Sequence, residues 1–272
     1  MNDVSQLKPK LTRLRMSGIL DNLDLRIREA EESRLSYSEF LLTLFQDEIG
    51  RRESKALSLR FKRSGLNPQK TLETFDFNFN SRVHSPLVRE LAVCAFIERR
   101  ENVFLVGPSG VGKTHLANAL GHEAVRKGHN VLLRRTTSLL KWLNSGRADA
   151  TYDRKLASLA EFPLLILDDF GLEELSRVHQ YDLYELICTR YESSSTIITS
   201  NRDLAEWPSV FENPLIASAA MDRLVHRAIK MTIEGDSYRR EAFLKANAAR
   251  EGFKVGYPDS TTQLKMDCSE SS

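Results

Sequence analysis

Four short, uninterrupted apolar runs alternate with amphipathic segments in the second and larger part of the chain. The runs are VFLV (residues 103–106), VLL (131–133), LLIL (164–167) and TIIT (196–199). Continuous apolar runs of this length are typical of parallel strands that are covered on both faces. The segments between the runs have helical spacing and lie at residues 114–127, 138–144 and 178–192. This alternation predicts a doubly wound α/β fold with a parallel, helix-covered sheet.

The same organisation continues after the fourth run. The pattern predicts a helix over residues 214–228, an edge strand at IKMTI (229–233) and a short helix from Ser237. We therefore place one α/β domain at residues 85–253. Residues 254–272 are polar and rich in serine, and we expect a disordered tail there because they have little apolar surface to bury.

The first part of the chain, residues 1–66, is charged and has helical spacing. Ser36 or Ser38 is a suitable N-cap for a long helix, and Gly65 is a suitable stop. We predict a small all-α N-terminal domain that binds DNA or a partner. The dipeptide Asn67-Pro68 breaks the helical pattern and begins a linker, which we place at residues 67–84.

Composition sets wide bounds on the class of protein. The chain has 272 residues, a formal net charge of +2, 41% hydrophobic residues and 28% charged residues. This is typical of a globular protein with one large domain and a smaller appendage. A net charge so close to zero neither requires nor excludes nucleic acid, so the distribution of charge matters more than its sum.

Cysteine usage and the first residues bear on the cellular compartment. The three cysteines are widely spaced and form no C-x-x-C motif, so we expect reduced thiols. The first residues, MNDVSQLKPKL, lack the apolar core of a signal peptide. Uninterrupted apolar runs stay well short of the roughly 18–20 residues of a membrane span. We expect a cytoplasmic protein with no membrane association.

The segment GPSGVGKT (107–114) has the spacing of a phosphate-binding loop and lies between a predicted strand and a predicted helix. Glycines allow the tight turn that points backbone N–H groups at phosphate oxygens, and the helix N-terminus adds partial positive charge. The lysine should reach the β- and γ-phosphates, and the threonine should bind Mg²⁺. The expected ligands are ATP and Mg²⁺, with contacts from Gly107, Pro108, Ser109, Gly110, Val111, Gly112, Lys113 and Thr114.

Three residues with aromatic or imidazole rings near the loop have more than one interpretation. His115 directly follows the loop and is included among the nucleotide contacts, although packing or a surface position is the simpler interpretation. In the linker stretch TLETFDFNFN (71–80), Phe75 and Phe77 either fold over the adenine or belong to the core. We favour the core.

Two adjacent carboxylates end the third apolar run, in LLILDDFG (164–171). Neighbouring side chains of a strand point to opposite faces, so the two cannot do the same work. We predict that Asp168 holds Mg²⁺ and that Asp169 is the general base for the attacking water. Aspartate is one methylene shorter than glutamate, so the reach of Asp169 depends on local backbone placement. Acids in an ordinary surface loop are the alternative.

The fourth run ends in Ser200-Asn201. If this strand lies beside the strand that precedes the phosphate loop, Asn201 reaches the γ-phosphate region and can orient water. Asparagine is also common in turns, so a residue that caps the turn before Asp203 is the alternative.

Together these motifs resemble the AAA+ ATPases, and within them the IstB/DnaC-like branch and its IstB-like helper ATPases of insertion-sequence transposition. The resemblance covers most of the chain from residue 71 onward. The stretches that carry it are GPSGVGKTHLANALG (107–121), LLILDDFG (164–171), TIITSNRDLAEW (196–207), MDRLVHRA (221–228) and EGDSYR (234–239). It implies an AAA+ core in which the catalytic residues are Lys113, Asp168, Asp169, Asn201 and Arg223.

Arginines have two roles in this resemblance. The family pattern implies an arginine finger in MDRL, here Arg223, that acts in trans on ATP bound by a neighbouring subunit. Arg227, four residues later, is the alternative finger, and a solvated arginine is the simplest interpretation of either. Arg239 matches a sensor-two position that would contact the nucleotide, although no lid domain of ordinary size follows it.

Basic residues cluster in the N-terminal region and again after the second run. Clustered Lys and Arg side chains bind DNA phosphates and release counterions, although such a cluster can also be a solvated face. The resemblance implies binding to duplex DNA without sequence preference by an oligomer assembled with ATP. The predicted DNA contacts are Arg51, Arg52, Lys55, Arg60, Lys62, Arg63, Arg134 and Arg135.

Three functions are compatible with these motifs. The resemblance favours an ATPase that helps transposition by assembling on duplex DNA and recruiting or stimulating a cognate transposase. A DnaC-like loader of a replicative helicase shares the same ATPase core. A small-molecule kinase could use the same loop, but the Asn201 and Arg223 pattern weighs against it.

Overall fold

A parallel five-stranded sheet forms the centre of the larger part of the molecule. The computed structural model describes residues 3–80 and 82–248. The strand order is β2-β3-β4-β1-β5, and each neighbouring pair is parallel. The predicted α/β class is confirmed, and the predicted tail at 254–272 lies outside the described residues. The strands are β1 (Asn102–Val106), β2 (Val131–Arg135), β3 (Leu164–Phe170), β4 (Ser195–Ser200) and β5 (Ala228–Thr232).

Helices precede the sheet, cover both of its faces and follow its last strand. They are α1 (Asp3–Arg13), α2 (Ser17–Ser33), α3 (Tyr37–Ser64), α4 (Ser85–Ala92), α5 (Ala95–Glu98), α6 (Lys113–Arg126), α7 (Thr136–Ser145), α8 (Tyr152–Ala160), α9 (Arg177–Arg190), α10 (Pro214–Val225) and α11 (Tyr238–Ala248), with a 3-10 helix at Leu204–Val210. Within residues 3–80 and 82–248, no helix has the length and hydropathy needed to cross a membrane.

The central segments of β1, β3 and β4 are mainly apolar because each face of the sheet packs on a separate core. In β3, Leu165 and Leu167 join one core with helices α7 to α10, and Leu164 and Ile166 join the other with α4 to α6. Alternate side chains of a strand point to opposite faces, so a strand covered on both faces needs apolar residues at every position. The continuous runs in the sequence follow from this arrangement.

Helix α10 is shorter than the sequence pattern predicts. It ends at Val225, and Ala228 already pairs with Asn102 of β1. Between them Arg227 has a left-handed backbone, with φ of 57°. The apolar residues after Val225 keep a helical spacing, but pairing with β1 uses their backbone groups, so the strand begins earlier.

Helix α3 connects the N-terminal helices to the α/β domain. Ser36 forms a capping box with Glu39, and Gly65 ends the helix with φ of 72°. The first half of α3 contributes Leu44 to a small core with α1 and α2. Further along, Leu57 packs against the core beneath α6. An all-helical N-terminal region is confirmed, and the predicted domain boundary at residue 66 stays a prediction.

The parallel arrangement gives the sheet two chemically different edges. All strands end at one edge, where the phosphate loop follows β1 and the two aspartates end β3. At the other edge the strands begin, next to the end of α10. Ligands of open α/β sheets bind outside the carboxyl ends of the strands, so the first edge is where the functional site is expected.

Candidate active site

The phosphate loop is built by glycines that no other residue could replace without strain. Gly107 has φ of 149° and Gly112 has φ of 105°. A Cβ atom on Gly107 would lie 2.0 Å from the carbonyl oxygen of Ile233, and one on Gly112 would lie 2.8 Å from the ring of Phe75. The loop therefore turns tightly between β1 and α6 with β5 and the linker close against it.

The side chain of Lys113, at the start of α6, is fixed by hydrogen bonds to the phosphate loop. Its ammonium donates hydrogen bonds to the carbonyl oxygens of Gly107 (2.7 Å) and Pro108 (2.6 Å). Burial lowers the pKa of Lys113 to about 8, and the nearby carboxylates of Asp169 and Asp168 oppose this shift. The charge is thus fixed inside the loop, where phosphate oxygens can replace the two carbonyls as its partners.

Asp168 is the buried member of the acid pair. One carboxylate oxygen accepts hydrogen bonds from the hydroxyls of Thr114 (2.8 Å) and Thr199 (2.5 Å). The predicted Mg²⁺ ligands, Thr114 and Asp168, are therefore in direct contact. Thr199 is a residue that the sequence analysis missed. Its position at the carboxyl end of the neighbouring strand was the available signal.

The side chain of Asp169 is half-exposed, and the backbone changes from extended to left-handed at this residue. It has a left-handed φ of 57°, and the register between β3 and β4 shifts between Leu167 and Phe170. Its N–H donates a hydrogen bond to the hydroxyl of Thr199 (3.0 Å). Strand alternation alone predicts opposite faces for the two acids, whereas a local bulge turns Asp169 toward the open cavity that Asp168 also lines.

Arg135 lies at the site and not only on the surface of β2. Its Nε atom is 3.7 Å from a carboxylate oxygen of Asp169, and both side chains line the same cavity. Arg134, its neighbour, donates a hydrogen bond to the carbonyl oxygen of Leu133 and lies against Gly65. The two arginines, predicted together as DNA contacts, thus have different surroundings.

Asn201 and Arg239 both reach the same cavity. Strand β4 pairs with β1, and Gly107 donates its N–H to the carbonyl oxygen of Ser200 (3.2 Å), so Asn201 follows directly beside the loop. The N–H of Tyr238 donates to the carbonyl oxygen of Gly110 (3.1 Å), which fixes the start of α11 at the loop and places Arg239 in the cavity wall.

The linker forms the remaining wall of this cavity. His115 donates a hydrogen bond to the carbonyl oxygen of Thr71 (2.9 Å), and burial lowers its pKa. The ring of Phe75 packs edge-on to His115 at 5.2 Å and lines the cavity, while also contacting the core beneath α6. Phe77 packs against Phe75 and the same core. Phe75 therefore packs against the core and also lines the nucleotide cavity.

The residues present fit a magnesium–nucleotide complex. The cavity has a volume of about 640 Å³, within the range of small-molecule sites. Its floor carries loop N–H groups, one buried ammonium and a hydroxyl–carboxylate pair, which are donors for phosphate and ligands for Mg²⁺. Thr114 and Asp168 would hold the metal ion, and Lys113 would contact the phosphates.

The chain matches the family of IstB-like ATP-binding proteins over residues 9–258. It belongs to this family. An ATP-binding protein in an insertion sequence of Mycobacterium tuberculosis is 39% identical over 234 residues, which are 86% of this chain and 93% of that protein. The ATP-binding protein of insertion sequence IS21 from Pseudomonas aeruginosa is 39% identical over 241 residues, which are 89% of this chain and 91% of that protein.

Solved structures show the same fold at lower identity. DnaA from Aquifex aeolicus bound to AMPPCP has a TM-score of 0.53 and 22% identity. The aligned residues are 71% of this chain and 59% of the DnaA chain. DnaI has a TM-score of 0.53 and 24% identity, and the aligned residues are 62% of this chain and 95% of the DnaI chain. This member of the IstB-like ATP-binding family thus has an AAA+ P-loop fold, as the sequence motifs predicted.

The predicted finger residues lie away from this cavity. Arg223 is in the last turn of α10, where its guanidinium donates to the carbonyl oxygen of Ala219 (2.8 Å) and lies 5.5 Å from the ring centre of Tyr184. Arg227 directly precedes β5. Both arginines are at the edge where the strands begin, opposite the phosphate loop.

The predicted DNA contacts of α3 have mixed surroundings. Arg51 pairs with Asp21, and Arg52 pairs with the buried carboxylate of Glu48 (2.7 Å). Arg60 and Arg63 line a groove beside the start of β2. Lys55 and Lys62 are exposed on the same helix. Some of the predicted DNA contacts thus form ion pairs within the chain, and others face the solvent. That these residues bind DNA stays a prediction.

The two aspartates should respond differently to neutralisation. We expect Asp168→Asn to weaken magnesium-dependent ATP binding about tenfold or more, because it removes the carboxylate beside Thr114. We expect Asp169→Asn to change ATP binding little. Titration of each variant with a fluorescent ATP analogue, with and without Mg²⁺, measures this difference. Loss of nucleotide binding in Asp169→Asn, with normal binding in Asp168→Asn, would reverse the two assignments.

Proposed function

We propose that this protein hydrolyses ATP and uses the nucleotide to assemble on duplex DNA, where it recruits or stimulates a transposase. The observation that carries the ATPase assignment is the contact of Thr114 with Asp168 beside the half-exposed Asp169. The insertion-sequence names of its relatives support the transposition setting. Binding to DNA, binding to a transposase and assembly into an oligomer are proposals that rest on this context.

The residues of the site would divide the chemistry of hydrolysis among them. Lys113 and the N-terminus of α6 bind phosphate oxygens and stabilise negative charge. Asp169 accepts the proton of the attacking water, which Asn201 orients. Bound Mg²⁺ would supply Lewis-acid stabilisation of the developing phosphate charge. Asp169 is one methylene shorter than a glutamate would be, and this shorter reach fits slow hydrolysis that times an assembly rather than rapid movement along DNA.

Geometry supports a finger that acts between subunits. The two edges of the sheet are separated by the length of its strands, and a strand of five residues such as β1 spans roughly 16 Å. An arginine side chain at the far edge cannot cover that distance to the phosphates of its own chain. A head-to-tail contact would instead bring Arg223 of one subunit to the ATP of its neighbour. Such contacts build rings or helical filaments.

Mixed assemblies test the finger. We expect both Arg223→Ala and Lys113→Ala to lose ATP hydrolysis, by about 10³-fold for the finger variant. Mixing the two variants should restore part of the rate, because an intact finger then meets an intact phosphate loop. A steady-state ATPase assay across mixing ratios measures the recovery. Arg177→Ala, an exposed arginine of α9, is the matched control. If Arg227→Ala, and not Arg223→Ala, loses hydrolysis alone and regains it when mixed with Lys113→Ala, the finger is Arg227.

Binding to duplex DNA should depend on the α3 cluster. We expect replacement of Lys55, Arg60, Lys62 and Arg63 by glutamine to weaken binding and to reduce the salt dependence, by about 0.9 in the log–log slope per lost phosphate contact. Fluorescence anisotropy with a duplex at several salt concentrations, in the presence of ATP, measures both quantities. Equal affinity and an equal slope in the variant would exclude the cluster from the DNA interface.

The partner distinguishes the two remaining functions. We expect a transposase encoded beside this gene to bind the ATP-assembled protein on DNA and to raise its ATP hydrolysis rate. A helicase loader would instead bind a replicative helicase and single-stranded DNA. Pull-down of each candidate by the tagged protein, followed by an ATPase assay of the complex, compares them. Helicase binding without any effect of the transposase would replace our proposal with the loader.

A further inference from the structure

The hydroxyl of Thr199 contacts both members of the acid pair. Thr199 is in β4, and its side chain is fully buried. Its hydroxyl oxygen lies 2.5 Å from a carboxylate oxygen of Asp168 and 3.0 Å from the backbone nitrogen of Asp169. One side chain of the neighbouring strand thus joins the predicted magnesium ligand to the predicted base.

The chemistry of the two partners fixes the direction of both hydrogen bonds. A carboxylate only accepts hydrogen bonds, and a backbone N–H only donates them. The hydroxyl of Thr199 therefore donates its one hydrogen to Asp168 and accepts a hydrogen bond from the N–H of Asp169. A side chain of the same shape without an oxygen atom, such as valine, could make neither contact.

Asp169 needs such a contact because its backbone conformation is unfavourable. Its φ of 57° lies in the left-handed region, where the Cβ atom comes too close to a carbonyl oxygen. In a regular strand its side chain would point to the opposite face of the sheet from that of Asp168. The register shift between Leu167 and Phe170 instead places both acids at the same cavity. The hydrogen bond to Thr199 holds Asp169 in this bulge.

The residues after Thr199 hold the chain beyond the acid pair in a similar way. The hydroxyl of Ser200 donates to the carbonyl oxygen of Phe170 (2.8 Å), and Nε of Arg202 donates to the carbonyl oxygen of Gly171 (2.7 Å). Side-chain groups thus support a segment where the register shift disrupts the strand ladder. Thr199 adds a contact with a carboxylate to this pattern, so it can act on the metal site as well as on the backbone.

We propose that Thr199 is a positioning residue that couples the two acids, so that metal binding and water activation depend on one hydroxyl. By donating to Asp168, it orients the carboxylate that would hold Mg²⁺, and the loss of such a partner typically changes metal affinity about 10- to 100-fold. By accepting from the N–H of Asp169, it keeps the base at the cavity. The second effect rests on the proposed hydrolysis, whereas the first needs only the binding of magnesium–ATP.

Thr199→Val tests the coupling because it removes the hydroxyl and keeps the shape of the side chain. We expect it to raise the Mg²⁺ concentration for half-maximal binding of a fluorescent ATP analogue by about tenfold. At saturating Mg²⁺, analogue binding should be near normal, but ATP hydrolysis should be slower by about 100-fold because the base is misplaced. Thr199→Ser, which keeps the hydroxyl, should restore most of both. Fluorescence titration and an ATPase assay at saturating ATP measure the two effects.

A matched control makes the same chemical change elsewhere in the sheet. Thr232→Val, at an exposed position of β5, should leave both measurements unchanged. Circular dichroism of each variant checks the fold. If Thr199→Val is misfolded, Thr199→Ala, which also lacks the hydroxyl, should show the same two defects.

Double variants distinguish positioning from a general loss of stability. In a chain that carries Asp169→Asn, Thr199→Val should slow single-turnover hydrolysis little further, since the base that it positions is already gone. In a chain that carries Asp168→Asn, it should change the Mg²⁺ requirement little further. Fully additive effects in both chains would contradict the positioning role.

The two measurements also distinguish failure of this proposal from failure of the proposed function. In a protein that hydrolyses ATP, a folded Thr199→Val variant with either measurement unchanged would overturn the coupling. If the unchanged protein binds magnesium–ATP without hydrolysing it, the proposed function fails. The Mg²⁺ titration still tests the contact of Thr199 with Asp168 in that case, and an unchanged Mg²⁺ requirement would overturn it.

Discussion

The carboxylate of Asp168 is the contact on which the rest of the site depends. It accepts hydrogen bonds from Thr114, at the start of α6, and from Thr199, at the end of β4. Those two hydroxyls and the acid come from three separate segments of the chain. Parallel pairing of β3 with β4, and of β4 with β1, puts the segments at one edge of the sheet. A buried acid needs such donors, since an unpaired charge there would be strongly destabilising.

The parallel sheet also gives the molecule its polarity. Phosphate-binding groups occupy the edge where strands end, and Arg223 and Arg227 lie near the edge where they begin. Under the proposed finger mechanism, a subunit with these groups at opposite edges would complete its site by contact with a second subunit.

Local signals predicted the parts of the site that lie close together along the chain. The strand, loop and helix around residues 103–127 have their own turn glycines and periodicity, so their structure follows from sequence. The bulge at Asp169 could not be predicted, because it arises from the register between β3 and β4. The position of Arg135 beside Asp169 was missed because it depends on the pairing of β2 with β3. Helix α10 was predicted too long because pairing with β1 overrides helical spacing.

The sequence by itself determined the α/β class, the phosphate loop and the family, since these depend on short-range periodicity and on residues in fixed order. Tertiary structure decided which distant groups meet: Thr199 with Asp168, Phe75 with the phosphate loop, and Arg135 with Asp169. The physical reason is that burial and pairing depend on packing between segments, whereas periodicity along one segment does not identify the neighbour that covers it.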